Sequence, residues 1–464
     1  MDDTTEWIQA LAQQIGTVVK QSLSQAADPQ AATSLAWIET ALRDVLRQVG
    51  AAALGQLLSE PPGTPVAELP CACGGKLQYQ RLRPATVLSV FGRVTYERAY
   101  YAGCQCGEGY APVDDRYGLH AGQVSAGLAE LLTLAGVELA FEHSRRWLKG
   151  FLLFEVSENT IRQETQAVGQ EQTAHETLLR EQSQDESWLQ AHLRTTAPIP
   201  ARLYGSLDAA KVRIEPRKPA EKQAETETWR DLKVGCWYEA EPVPPSQRSK
   251  RQRAVTERGQ LGQRAKNIRY YCDILEAKAF GQLMWATGCA AQADLTRELV
   301  FVCDGAVWIW NLIATHYPKA VQIVDWYHAA DRLERVAHAA FNQTAPRERW
   351  VERTTTDLWE GRVAEVIQAC ADLGSPCSEA QDAATYFTHN AARMRYDQYR
   401  ADGYLIGSGT VESSCKQIVT HRLKCSGAQW IIPGAVNTAK ARAAWLSDAW
   451  TPVCTSWSAL PLAI

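Results

Sequence analysis

Leu299-Val300-Phe301-Val302-Cys303-Asp304-Gly305 is the stretch on which the fold turns. Its unbroken apolar run reads as a strand buried on both faces, because a strand with one wet face alternates apolar and polar residues. Asp304-Gly305 ends the run with turn chemistry, and a helix through Trp308 and Leu312 follows. Ala320–Val324 is a second short apolar strand, closed by Asp325. Upstream, Arg202–Ile214, Leu232–Glu239 and Ile268–Glu276 read as three more strands, and Ala279–Leu295 as a helix.

The order is three strands, helix, strand, helix, strand, helix. That is the order of a ribonuclease-H-like core, expected over residues 201–330. Residues 331–405 read as wholly helical, an insertion that interrupts this core before Gly407-Ser408-Gly409. Residues 406–450 return to it, with one helix from Thr410 to about Lys424, and 451–464 form a tail. Residues 1–62 read as amphipathic helices, and Pro61-Pro62-Gly63-Thr64-Pro65 marks a linker. Residues 66–118 hold two cysteine pairs around a hairpin turning near Gly92, a zinc-ribbon-like module. Residues 121–170 read as a helix-turn-helix whose last helix is capped by Ser157, and 171–200 as a polar helical connector. The expected fold class is therefore multidomain, mixing α+β and α/β parts.

Composition agrees with several domains. The chain has 464 residues, 46% of them hydrophobic and 22% charged, enough apolar content for sizeable cores. No apolar stretch approaches the length of a membrane span. Met1-Asp2-Asp3 puts acids where a secretory signal is basic, so a cytoplasmic location is expected. In that compartment the 13 cysteines are expected as reduced thiols, some of them metal ligands. A net charge of −4 neither favours nor excludes nucleic acid, because a phosphate footprint can be local.

Acids fall at chemically telling places. Asp208 sits mid-strand with Tyr204 and Ser206 on one face, opposite Leu203 and Leu207. Asp304 and Asp325 each follow a buried strand, at the edge where open α/β sheets bind ligands. Glu412 opens a helix beside the stripe Val411, Cys415, Ile418, Val419 and Leu423. Phosphodiester cleavage by two divalent cations about 3.5–4 Å apart needs carboxylates from separate elements around them. A strand-end acid can equally cap the helix that follows it.

Four strings resemble the transposases of ISKra-type insertion sequences, relatives of the Mutator superfamily. They are Leu207-Asp208-Ala209-Ala210-Lys211-Val212, Phe301-Val302-Cys303-Asp304-Gly305, Val324-Asp325-Trp326-Tyr327-His328-Ala329-Ala330-Asp331-Arg332-Leu333 and Gly407-Ser408-Gly409-Thr410-Val411-Glu412-Ser413. The resemblance implies that Asp208, Asp304 and Glu412 are a catalytic triad for Mg²⁺ or Mn²⁺. It implies that Asp325 and His328 support the site or contact DNA.

Outside this constellation, Cys71, Cys73, Cys104 and Cys106 can satisfy Zn²⁺ tetrahedrally; four buried or partly oxidised thiols are the alternative. Residues 248–269 are basic, with Lys250, Arg251 and Arg253 among them, and read as a phosphate-contacting loop or a solvated one. In the last helix of the helix-turn-helix, Asn159, Arg162 and Gln163 are candidates for base edges. Lys416, four residues after Glu412, forms a helix salt bridge or touches phosphate.

The expected activity is a DNA transposase. It would cleave the terminal inverted repeats of its element and join the freed 3′-hydroxyl to target DNA, acting as a homodimer or larger assembly, with no membrane partner. A catalytically inactive, transposase-derived DNA-binding protein is the alternative. An unrelated phosphoryl-transfer enzyme would carry a Gly-x-x-x-x-Gly-Lys-Ser/Thr loop, which the sequence lacks.

Overall fold

The structure is a computed structural model that describes residues 3–24, 34–59, 65–119, 123–215, 229–247, 263–374 and 377–448. It is mixed α/β, with two sheets, and falls into two compact units that part between Glu164 and Thr165.

In the first unit a three-stranded antiparallel sheet joins β1 (Glu68–Pro70), β2 (Lys76–Ser89) and β3 (Gly92–Ala102). Side chains of β3 alternate buried and exposed along most of its length, so Val94 and Tyr96 enter a core with Ala85, Val87 and Leu58. Ser89 pairs with Gly92 across the hairpin turn, and Gly92 has φ +95°, the left-handed backbone that glycine adopts without strain. The helix Leu35–Ser59 lies on β3; an added Cβ at Gly55 would come 2.8 Å from the Thr95 carbonyl oxygen. Helices Ala126–Glu138 and Phe141–Leu152 then pack Leu128, Leu132 and Leu148 against Val156 and Ile161. Ser157 caps the next helix, its hydroxyl accepting from the Thr160 N–H at 3.0 Å. That helix spans Glu158–Gln182, so helix runs without a break through the point where the connector was expected to begin. No Gly or Pro follows Val168 closely enough to stop it, except Gly169, which a helix tolerates.

The second unit is built on a five-stranded sheet in the order β6-β5-β4-β7-β8. The strands are β4 (Arg202–Arg213), β5 (Trp229–Pro242), β6 (Gln263–Asp273), β7 (Glu298–Cys303) and β8 (Val321–Val324). β4, β5 and β6 form an antiparallel meander, and β7 and β8 run parallel to β4. Residues Leu299–Cys303 are all buried, as their apolar run predicts. Helices Ala277–Ala290, Val307–His316 and Trp326–Ala340 follow β6, β7 and β8 in turn. Four further helices, from Thr344–Trp359 to Tyr396–Ala401, lie between this set and Gly407.

The segment after Gly407 departs from the single helix expected there. An α-helical stretch, Gly409–Ser414, gives way to a π-helix over Cys415–Thr420, and α-helix resumes only for His421–Leu423. The last helix, Ile432–Leu446, packs on β6 through a face rich in alanine. At Gly169 the Glu158–Gln182 helix comes so close to it that an added Cβ would lie 1.9 Å from the Asn437 oxygen. Lys440 of that last helix is fully buried, its Nζ 2.6 Å from Glu176 and 2.7 Å from Asp273. Cys236, Cys272, Cys289 and Cys303 are buried, as small core residues are. Among the described residues no helix is long and apolar enough to cross a membrane.

Candidate functional site

The candidate aspartates of the second unit lie mid-way along β4 and just past the ends of β7 and β8. Asp208 lies in β4, opposite Val234 of β5, and its Oδ1 accepts from the Ala209 N–H at 2.7 Å. Burial pushes its carboxyl above the ordinary value. The Ala209 N–H and the Cys415 thiol pull it back down, and the negative charge of Asp304 adds to the rise. Asp304 follows β7 directly, and its Oδ1 accepts from the Ala306 N–H at 3.0 Å. Gly305 beside it has φ +96°, and a Cβ there would meet the Tyr386 ring at 2.8 Å. The Tyr386 hydroxyl donates to the Asp304 carbonyl at 2.9 Å.

Asp325 is buried and serves as the cap that a strand-end acid can be: Oδ1 accepts from the His328 N–H at 3.0 Å. Its Oδ2 accepts from both the backbone N–H and the hydroxyl of Ser408. Burial would raise this carboxyl, but hydrogen bonds from His328 and Ser408 outweigh it and hold the group below the ordinary carboxylate value. The Trp326 N–H donates to the Ile406 carbonyl at 2.9 Å, a second tie to the same loop. Asp325 thus anchors the turn from which the Glu412 helix starts.

His328 lies beside Asp325, its Nδ1 3.7 Å from Oδ2. Its hydrogen bond to Asp325 raises its pKa first of all, and the charges of Asp304 and Glu412 raise it further. The same imidazole in turn lowers the Asp208 carboxyl. All four acids therefore lie within electrostatic reach of one half-exposed ring. The carboxylates are nonetheless spread out. Among the described residues only the four cysteines bring three or more potential ligand atoms within 4.8 Å of one another. Glu412 is turned to Lys416, Oε1 to Nζ 2.6 Å, the ordinary i,i+4 pair of the two readings its spacing allowed.

Several residues that shape this edge do so through partners far away in the sequence. Arg442 is buried, and its Nε donates to the Gln417 carbonyl at 2.6 Å, bracing the π-helix from the last helix. Trp430 donates from Nε1 to the Leu423 carbonyl at 2.9 Å, and its own carbonyl accepts from the Glu215 N–H at 2.8 Å just past β4. Ser408 sits in a conspicuous Gly-Ser-Gly string, but its partner Asp325 lies 83 residues away.

In the first unit Cys71, Cys73, Cys104 and Cys106 form a candidate metal centre. Neighbouring sulfurs lie 3.3–3.5 Å apart, close to the edge of about 3.8 Å implied by four Zn–S bonds of about 2.3 Å. Two matching turns present them: the Gly74 N–H donates to the Cys71 carbonyl at 2.9 Å, and the Gly107 N–H to the Cys104 carbonyl at 3.0 Å. Gly74 and Gly107 have φ +86° and +77°. A Cβ on Gly75 would fall 2.7 Å from the Cys104 sulfur, so glycine keeps the cradle open. Cys73 is lowered to about 7, chiefly by a hydrogen bond from the Gly75 backbone and then by the other thiols, while Cys71 and Cys106, each lowered by a backbone hydrogen bond, are raised on balance by their thiol neighbours. The four sulfurs fit a metal ion such as zinc.

Of the remaining candidates, Asn159 and Gln163 are exposed, while Arg162 is half-buried and donates to the Asn159 side chain. Lys250, Arg251 and Arg253 lie outside the described residues. No family model matches the sequence, and no curated protein matches it.

Proposed function

We propose that the chain is a DNA transposase, a metal-dependent polynucleotidyl transferase on a ribonuclease-H-like core. The sheet order supports the core: a β4–β5–β6 meander flanked by parallel β7 and β8, with helices after β6, β7 and β8. The observation that carries the activity is the placement of the acids: Asp208 in β4, Asp304 directly after β7, and Asp325 after β8 tied through Ser408 to the turn that starts the Glu412 helix. Asp208, Asp304 and Glu412 would hold the divalent cations. When bound, Mg²⁺ or Mn²⁺ polarises phosphoryl oxygens and lowers the pKa of a coordinated water. Carboxylates gripping two cations from outside need not meet one another, which suits their spread.

The chain's own groups do the rest. Asp325 and Ser408 fix the turn that carries Glu412, and His328 supplies a proton-bearing group at the same edge. Strand cleavage at the element's inverted repeats frees a 3′-hydroxyl, which attacks target DNA. Two ends have to be held together, so the working form is a dimer or larger. The first unit, with a zinc-loaded cysteine cluster and Asn159, Arg162 and Gln163, recognises the ends.

The pairing of Glu412 with Lys416 favours a second reading, an inert transposase-derived DNA-binding protein. Mg²⁺-dependent nicking of a duplex carrying the flanking inverted repeats decides between them. Under the first reading the wild type nicks, and Asp304→Asn lowers the rate roughly 10³-fold or more. Binding without nicking by the wild type selects the second. Normal nicking by Asp304→Asn overturns the assignment of the site.

A further inference from the structure

Arg332 lies one helical turn beyond His328 on the Trp326–Ala340 helix and has an aromatic ring for a partner. Its guanidinium stacks over Tyr386, 4.1 Å from the ring centroid. The nearest acid along the helix, Asp331, is taken by Arg335 at 3.3 Å. Tyr386 is itself fixed: its hydroxyl donates to the Asp304 carbonyl, and its ring fills the space that a side chain on Gly305 would need. One aromatic ring therefore separates the Arg332 guanidinium from the Asp304-Gly305 turn. Burial raises the Tyr386 phenol most and the charge of Asp304 adds to the rise, while Arg332 lowers it by its charge and by a side-chain hydrogen bond.

A stacked guanidinium is a preorganised one. Arg332 gives one donor to the Tyr386 phenol, and the remaining N–H groups of its five-donor fork are left to donate. Those groups match the paired oxygens of a phosphate. The position is also right for charge. Three carboxylates at this edge repel a phosphodiester until cations offset them, and an arginine held on a ring adds a fixed positive charge beside them.

We infer that Arg332, shelved on Tyr386, is the phosphate-binding residue of the site and grips a phosphodiester of the DNA strand beside Asp304. This deepens the nuclease reading and rests on it. It assigns a substrate contact to a residue of the helix after β8, and a supporting role to the helix Ser378–Asn390 that brings Tyr386.

The test uses full-length wild type, Arg332→Gln and Arg332→Lys with a short fluorescent duplex carrying the inverted repeat. Anisotropy is read between about 50 and 200 mM salt, and Mg²⁺-dependent nicking is followed in parallel. Thermal unfolding and terbium luminescence at the acids confirm that fold and cation binding are intact. The expected result is a salt slope shallower by about 0.9 for Arg332→Gln, matching one lost phosphate contact. Nicking falls roughly 10²-fold, and Arg332→Lys, which keeps charge but not the planar fork, recovers the slope and only part of the rate. A wild-type slope and rate in Arg332→Gln overturn the inference. If the wild type binds but does not nick, the nuclease reading fails, and the slope alone still decides the contact. If the wild type does not bind the duplex, both fall.

Discussion

The carboxylate of Asp325 accepts two hydrogen bonds from Ser408, one from the backbone N–H and one from the hydroxyl. The pair joins the end of β8 to the turn that launches the Glu412 helix, and both residues are buried. Removing the hydroxyl leaves an ionised, buried oxygen short of one donor.

Ser408→Ala is expected to cost about 1–3 kcal/mol in urea unfolding at neutral pH. The folded Asp325 carboxyl titrates below its ordinary value of 3.8. Its contribution is therefore fully present above that value and is lost as pH falls through the lowered one. The gap between wild type and Ser408→Ala should narrow below pH 3.8. A gap that widens there contradicts the hydrogen-bond account.

Lys440 lies between Glu176 and Asp273, with burial alone lowering its pKa and the two carboxylates more than reversing that. Lys440→Met strands the Glu176 carboxylate in the interior and is expected to cost about 3–5 kcal/mol by chemical denaturation. Adding Glu176→Leu should restore a measurable part of that loss, since an apolar pair of similar volume is tolerated far better than a lone buried charge. If the double variant is less stable than the single, the pair is not what holds this helix to the sheet.

Protein purified under reducing conditions is expected to release about one zinc per chain to a chromogenic chelator. Cys104→Ser should abolish most of this. Gly75→Ala should weaken metal retention without removing any ligand, because its Cβ would fall 2.7 Å from the Cys104 sulfur. Undiminished zinc in Gly75→Ala would show that the cradle is looser than these contacts require.

Much of the second unit was legible because its signals are local. Leu299–Cys303 announces a strand covered on both sides, and five strands with their intervening helices follow from short stretches read one at a time. The cysteine pairs were legible for the same reason, each turn being closed within four residues by a glycine. Long-range terms were not. Nothing near Ser408 names Asp325 as its acceptor. Nothing in Val411–Leu423 betrays a widened helix, since its apolar stripe suits an ordinary one and the brace, Arg442, comes 25 residues after the carbonyl it holds. Arg332 lay inside a quoted string without a role, because the ring that orients it belongs to another helix.

The widened turn at Cys415–Thr420 sets two azimuths within a single run of chain. A π-turn takes up one residue more than the α-turn it replaces, and one residue of α-helix is worth roughly 100° of rotation. Upstream, Val411 is phased into the core of the sheet; downstream, Arg422 is phased to the Trp430 ring, 5.4 Å from its centroid. A regular helix of the same length would satisfy one phase and swing the other away. Removing the one extra residue would therefore let a regular helix keep both phases, whereas inserting another would swing one flank away from its partner.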